Sequence, residues 1–346
     1  MLSDSVSQWD RCTIENNLHI CYHGEYLETV SEVLEKIPKI EELTEEQKSY
    51  CEEVKRYLEK IDGDIATTHK LKFRPQKFLA VLDEIYEKFD EDKQHTELFL
   101  KRAVMKFLLD LSRFGEDIQN SEQAEEGCST RLICSFVEMC CLHSEISLDK
   151  GDCTIWKNFQ GMTEVTSRPD IRLYSYGIKT AKTAASRSKI PVSVVEVKKS
   201  DEKQYGESEL LDPLTERLES TDLSSSTSSL ASSEDSFRKL PIEEYLMTSK
   251  SLGLHAGQLL LELHKCHKDY KNCPILTMSG MIIDGTKVFF TVLEMKSEHL
   301  IKLENNEELD EDDKAVIYYS KPFDLIYSDE RSILIDNIMR LNNIEL

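Results

Sequence analysis

Two runs, RPDIRLYSY at 168–176 and PVSVVEVKK at 191–199, decide how this chain is read. Both are short and β-rich, and Pro, Ser and Gly bound them. In an extended strand successive side chains alternate faces. Glu196 and Lys198 therefore share one face about 7 Å apart, while Val195 and Val197 share the other. A charged pair on a strand otherwise built of valine is costly to bury without partners. If Asp170 opens the neighbouring strand of a hairpin, two carboxylates and one ammonium converge. That set suits phosphodiester hydrolysis. Mg²⁺ takes hard oxygen ligands, usually one or two carboxylates completed by water and phosphate oxygens. Asp170 and Glu196 supply the carboxylates, and the Val197 carbonyl can add a ligand. The metal polarises the phosphate and acidifies a bound water. Lys198 would orient or deprotonate that water, or neutralise the charge that builds on phosphorus.

Downstream, LGLHAGQLLLELHKC (252–266) reads as a helix with Gln258 at its centre, and Asp284-Gly285 between two apolar runs is a hairpin signal. Residues 200–240 are Ser-rich, acidic and poor in large apolar groups, and read as a disordered insertion, a flexible spacer before a phosphorylation target. Upstream, a helix is expected from about Thr130 to His143. The acidic stretch 115–129 marks a domain boundary. Residues 20–115 carry helical periodicities: Leu27, Val30, Leu34 and Ile37; then Cys51, Val54, Leu58 and Ile61 behind a Thr44–Gln47 capping box. A helix from Pro75 carries Phe78, Leu82, Ile85 and Phe89, and one after Thr96 carries Leu100, Val104, Phe107, Leu108 and Leu111. The expected organisation is a helical accessory domain over 1–120 and an α/β domain over 130–346.

RPD, then a hydrophobic strand ending in EVK, then a helix bearing Gln, resembles the PD-(D/E)XK nuclease superfamily, closest in pattern to RecB-like and lambda-exonuclease-like members and to crinkler-type nuclease domains. The resemblance covers about residues 130–300. It implies a restriction-endonuclease-like mixed sheet flanked by helices, here preceded by the all-helical segment. It further implies Asp170 and Glu196 as metal ligands, Lys198 as the catalytic lysine and Gln258 as the glutamine that helps hold the site. An acid from the first core helix completes the metal shell in many members; Glu138 fits that place, with Glu145 as fallback. The implied activity is Mg²⁺- or Mn²⁺-dependent cleavage of DNA before RNA. The sequence departs from the pattern in the long polar KTAKTAASRSK run between Asp170 and Glu196 and in the Ser-rich insertion before Gln258.

Composition pulls partly the other way. The 346 residues carry a formal charge of −22, whereas nucleic-acid binding by counterion release calls for a basic face. Residues 151–200 are the exception, with nine Lys or Arg against four acids. The competing reading is a nuclease-fold protein without activity that binds nucleic acid or protein, the helical region offering the protein-binding surface. No run approaches the ~18 apolar residues of a membrane span, and the first residues lack a secretory pattern. Ten cysteines, two of them adjacent, suit free thiols in a reducing compartment, so nucleus or cytoplasm is expected. Cys12, His19, Cys21 and His23, and again His264, Cys266, His267 and Cys273, lack the paired spacing of a zinc site and read as ordinary polar positions. No phosphate loop, dinucleotide turn or nucleophile elbow is present, against ATPase, dehydrogenase and serine-hydrolase chemistry.

Overall fold

A computed structural model describes residues 2–61, 80, 83–84, 95–121, 126–148, 152–178, 187–198, 240–245, 247–266 and 273–345. The expected helix from Pro75, the Ser-rich insertion apart from Leu240, most of the KTAKTAASRSK run and His267 lie outside them. The described helices are α1 (Arg11–Leu18), α2 (Val30–Leu34), α3 (Glu45–Leu58), α4 (His95–Ser121), α5 (Glu126–Met139), α6 (Pro241–Glu244), α7 (Ser249–Cys266), α8 (Ser297–Asn305) and α9 (Ser328–Arg340). The strands are β1 (Ile20–Tyr22), β2 (Leu142–Ile146), β3 (Thr154–Lys157), β4 (Glu164–Ser167), β5 (Ile171–Ser175), β6 (Pro191–Val197), β7 (Ile275–Asp284), β8 (Lys287–Lys296), β9 (Ala315–Tyr319) and β10 (Phe323–Asp324).

Among the described residues β1-β9-β8-β7-β6-β5-β2 form one mixed sheet, with β10 beside β8, and β3-β4 pair separately. β6–β7 and β1–β9 run parallel, and the other pairs of the large sheet are antiparallel. The protein is thus mixed α/β. Strand alternation divides its apolar side chains between two cores. Val195, Val197, Met281, Ile283, Phe290 and Val292 enter one, with α2 to α5 and α9. Val194, Ile282, Phe289 and Leu293 enter the other, with α1, α7 and α8. The β7–β8 hairpin closes through Gly285 and Thr286, one position later than the Asp284-Gly285 reading. Gly285 takes the left-handed φ of +64° that a first turn position of this kind demands.

Three expectations are corrected. Residues 1–120 are not an all-helical domain. Ile20–Tyr22 adds a parallel strand to the sheet edge, and Val30, Val54 and Phe107 share a core with Phe290 and Leu334. Periodicity shows which face of a helix is apolar and leaves open what covers it, and three residues are too few for alternation to register. The acidic 115–129 stretch is no domain boundary: α4 runs through it to Ser121 and α5 starts at Glu126, because a solvated helix face and a linker have the same composition. The helix expected to reach His143 stops at Met139. Cys141 turns left-handed at φ +61°, and His143 lies in β2. The Thr44 capping box forms as expected, Thr44 Oγ1 accepting from the Gln47 N–H and Gln47 Oε1 from the Thr44 N–H.

Candidate active site

β5 and β6 are antiparallel neighbours with Ile171 opposite Val195. Continuing that register sets Asp170 opposite Glu196, on the face away from Val195 and Val197. The Val197 N–H donates to Asp170 Oδ2 at 2.8 Å, which holds the carboxylate against the strand bearing Glu196. One step further the register sets Pro169 opposite Val197. Proline has no N–H to give the Val197 carbonyl in the ladder, which suits that oxygen to the ligand role read from the sequence.

Gln258 comes from α7, which lies on the same face of the sheet. Thr248 caps this helix, its Oγ1 accepting from the Ser251 N–H at 3.1 Å. Leu252, Ala256, Leu259 and Leu263 pack into the core, and His255, Gln258 and Glu262 are buried alongside them. Gln258 is fully buried and donates from Nε2 to Glu196 Oε2 at 2.6 Å. Its Oε1 is buried without a hydrogen-bond partner. Lys198 is 9% exposed, with its Nζ 3.9 Å from Asp284 Oδ2 at the end of β7.

Two adjoining cavities open onto these groups. One, of about 270 Å³, is walled by Asp170, Glu196, Gln258 and Arg168, with Ser5 and Ser7 across from them. The other, of about 170 Å³, is walled by Glu196, Lys198, Lys250, Ser251 and again Ser7. Glu196 stands at the divide. The four residues expected from the RPD, EVK and Gln pattern therefore meet on one cleft.

The donor set fits a hard divalent cation. Two carboxylates directly opposite on one sheet face repel each other, and a pair of acids is what Mg²⁺ draws from a protein when water and phosphate complete its shell. The third acid is not Glu138. Its Oε1 accepts from Ser144 Oγ at 2.7 Å, its Oε2 pairs with Lys106, and it lines neither cavity. α5 packs into the opposite core, so the fold carries Glu138 away from the cleft. Glu145 pairs with Arg187 and also lines neither cavity. Among the described residues no group of three or more His, Cys, Asp or Glu is arranged as a metal cluster. His19 and His23 turn to backbone carbonyls of Asp310 and Glu25, and His264 stacks on Trp156 at 3.8 Å.

Several contributors escape a linear reading. Arg172, two residues after Asp170, and Glu262, four after Gln258, form a buried ion pair at 2.7 Å, joined by Thr154 and Ser147. The pair ties β5 to α7 next to the carboxylates. His255 is buried on α7, its Nε2 2.8 Å from Thr291 Oγ1; burial drives its pKa down to about 3, against a smaller opposing effect of Gln258. The N-terminal segment forms the far wall. Its 3-10 turn Val6–Gln8 rests on α7 where Gly257 leaves room, since a Cβ there would lie 2.3 Å from Val6 Cγ1 and 2.8 Å from Trp9 Cε3. Trp9 is fully buried and donates its indole N–H to the Ser3 carbonyl at 2.9 Å. The Gly253/Gly257 spacing is the one sequence signal of that close approach. No helix among the described residues is long and apolar enough to cross a membrane. No family model matches the chain, and no curated protein matches it closely enough to count as a relative.

Proposed function

We propose that the chain is a metal-dependent nuclease of restriction-endonuclease-like fold that hydrolyses phosphodiester bonds, of DNA before RNA. The observation that carries this reading is Asp170 and Glu196 facing one another across β5 and β6 on the wall of a cleft, with Gln258 bonded to Glu196 and Lys198 buried on the same cleft. Asp170, Glu196 and the Val197 carbonyl would hold Mg²⁺ or Mn²⁺. The bound ion supplies neutralisation of the phosphate oxygens and a water of lowered pKa. Gln258 fixes the rotamer of Glu196, so the carboxylate does not reorganise as charge develops. Lys198 places an ammonium beside Glu196, where it can orient a water and offset charge on the phosphate. Asp284 steadies that ammonium from the next strand.

The net charge of −22 favours a second reading, a nuclease-like fold that binds a partner without cutting. Cleavage of labelled single- and double-stranded DNA with Mg²⁺, beside Mn²⁺ titration by calorimetry, separates the two. The enzyme reading expects Lys198→Met to lose at least a hundredfold in rate while still binding Mn²⁺. Asp170→Asn should lose both. Gln258→Leu should weaken Mn²⁺ binding by about 10–100-fold, as loss of a ligand-orienting partner does. Metal binding without cleavage by the wild type would leave the non-enzymatic reading. Equal cleavage by all preparations would expose a contaminant and end the nuclease claim.

A further inference from the structure

The cleft has cations that the catalytic set does not use. Arg168 is exposed on the wall of the 270 Å³ cavity, and Lys250 is exposed on the wall of the 170 Å³ one. Neither makes an ion pair among the described residues. In a chain with 65 acidic and 43 basic side chains, cations left without acid partners at one cleft, on either side of Glu196, mark a place where negative charge comes from outside. Ser7 stands opposite them, exposed and lining both cavities. It is held there by the buried Trp9 and by a Thr166 N–H that donates to the Asp4 carbonyl at 3.0 Å. The cavities lie in a row, and each falls below the roughly 300–1,000 Å³ of an ordinary small-molecule pocket. They suit an extended backbone passing residue by residue better than a ligand enclosed in one chamber, and they have no room for both strands of a duplex.

We propose that a single strand of nucleic acid lies along this cleft from the Arg168 side to the Lys250 side. These two cations hold the phosphates flanking the one at Glu196, and the Ser7 hydroxyl donates to the backbone between them. The inference rests on the phosphodiester reading of the site but requires no cleavage. Its test is therefore binding in EDTA, followed by the fluorescence anisotropy of a 5′-fluorescein 12-mer oligodeoxynucleotide across a NaCl series. Lys250→Ala and Arg168→Ala should each weaken binding about five- to tenfold. Each should also lower the slope of log affinity against log salt by about 0.7, the release expected per single-strand phosphate. Ser7→Ala should weaken binding about threefold with the slope unchanged, because a hydroxyl releases no counterion. Lys48→Ala, at an exposed lysine paired with Glu45 elsewhere on the surface, is the control and should bind as wild type. The single strand should bind more tightly than its duplex. If Arg168→Ala and Lys250→Ala track the control, or the duplex binds as well as the strand, the proposal is overturned. If these losses appear while the wild type with Mg²⁺ fails to cut, the strand-binding cleft stands and the nuclease reading falls.

Discussion

Asp170, Glu196, Lys198 and Gln258 were legible as single letters because their placement follows from local geometry. Alternation puts Glu196 and Lys198 on one face of β6, and a short hairpin can set an aspartate opposite. Glu138 was not legible in the same way. Its helix was readable, but which side of the sheet the helix covers is decided by residues over a hundred positions away. His255 was passed over because a histidine within an apolar helix gives no sign of its burial. That burial makes it a pH reporter. Its folded pKa of about 3, and about 4 for His299 on α8, lie below the ordinary histidine value, desolvation being the main cause in both. The unfolded chain therefore binds protons that the folded one refuses, so stability is full above pH 6.5 and falls as pH drops toward those folded values. Between pH 7.5 and 5.5 each histidine should remove about 1.4 kcal/mol from the unfolding free energy. Urea melts across that range should show the loss, and His255→Gln should remove about half of the slope. An unchanged slope in that variant would show that the imidazole is not buried.

At the scale of elements, the seat of α7 on β5 and β6 decides the site. The helix was readable from its leucines, and its role from Gln258 alone. The Arg172–Glu262 pair was not, since an arginine in a strand and a glutamate in a helix look solvated until both are known to face inward. A buried pair of this kind contributes little net stability but is costly to halve. Glu262→Leu should therefore destabilise by about 3–5 kcal/mol, leaving Arg172 buried without its counter-charge. Arg172→Met with Glu262→Leu should recover most of that loss. Thermal melts of the two singles and the double decide it; a double variant no better than Glu262→Leu would mean that the pair is not coupled as described.

At the scale of the molecule, the sequence reading divided what the fold joins. β1 lies on the sheet edge, and α2 to α4 close one of its cores, because β9 and β8 offer an edge and an apolar face that no local window of the first 120 residues reveals. Removing residues 1–120 should consequently not release a working α/β domain. It would strip Val30, Val54 and Phe107 from the core around Phe290 and take the Ser5–Ser7 wall from the cleft. The shortened chain should show no cooperative unfolding transition by circular dichroism; a sharp one would restore the two-domain view.

A sheet with a separate core on each side also isolates damage. Leu259, beneath the cleft, and Phe107, behind the sheet, belong to different clusters, so truncating both to alanine should cost the sum of the single penalties, since distant sites with no shared partners add. The rear layer is thus where the fold can be reinforced or drift in sequence while the chemistry in front is left undisturbed.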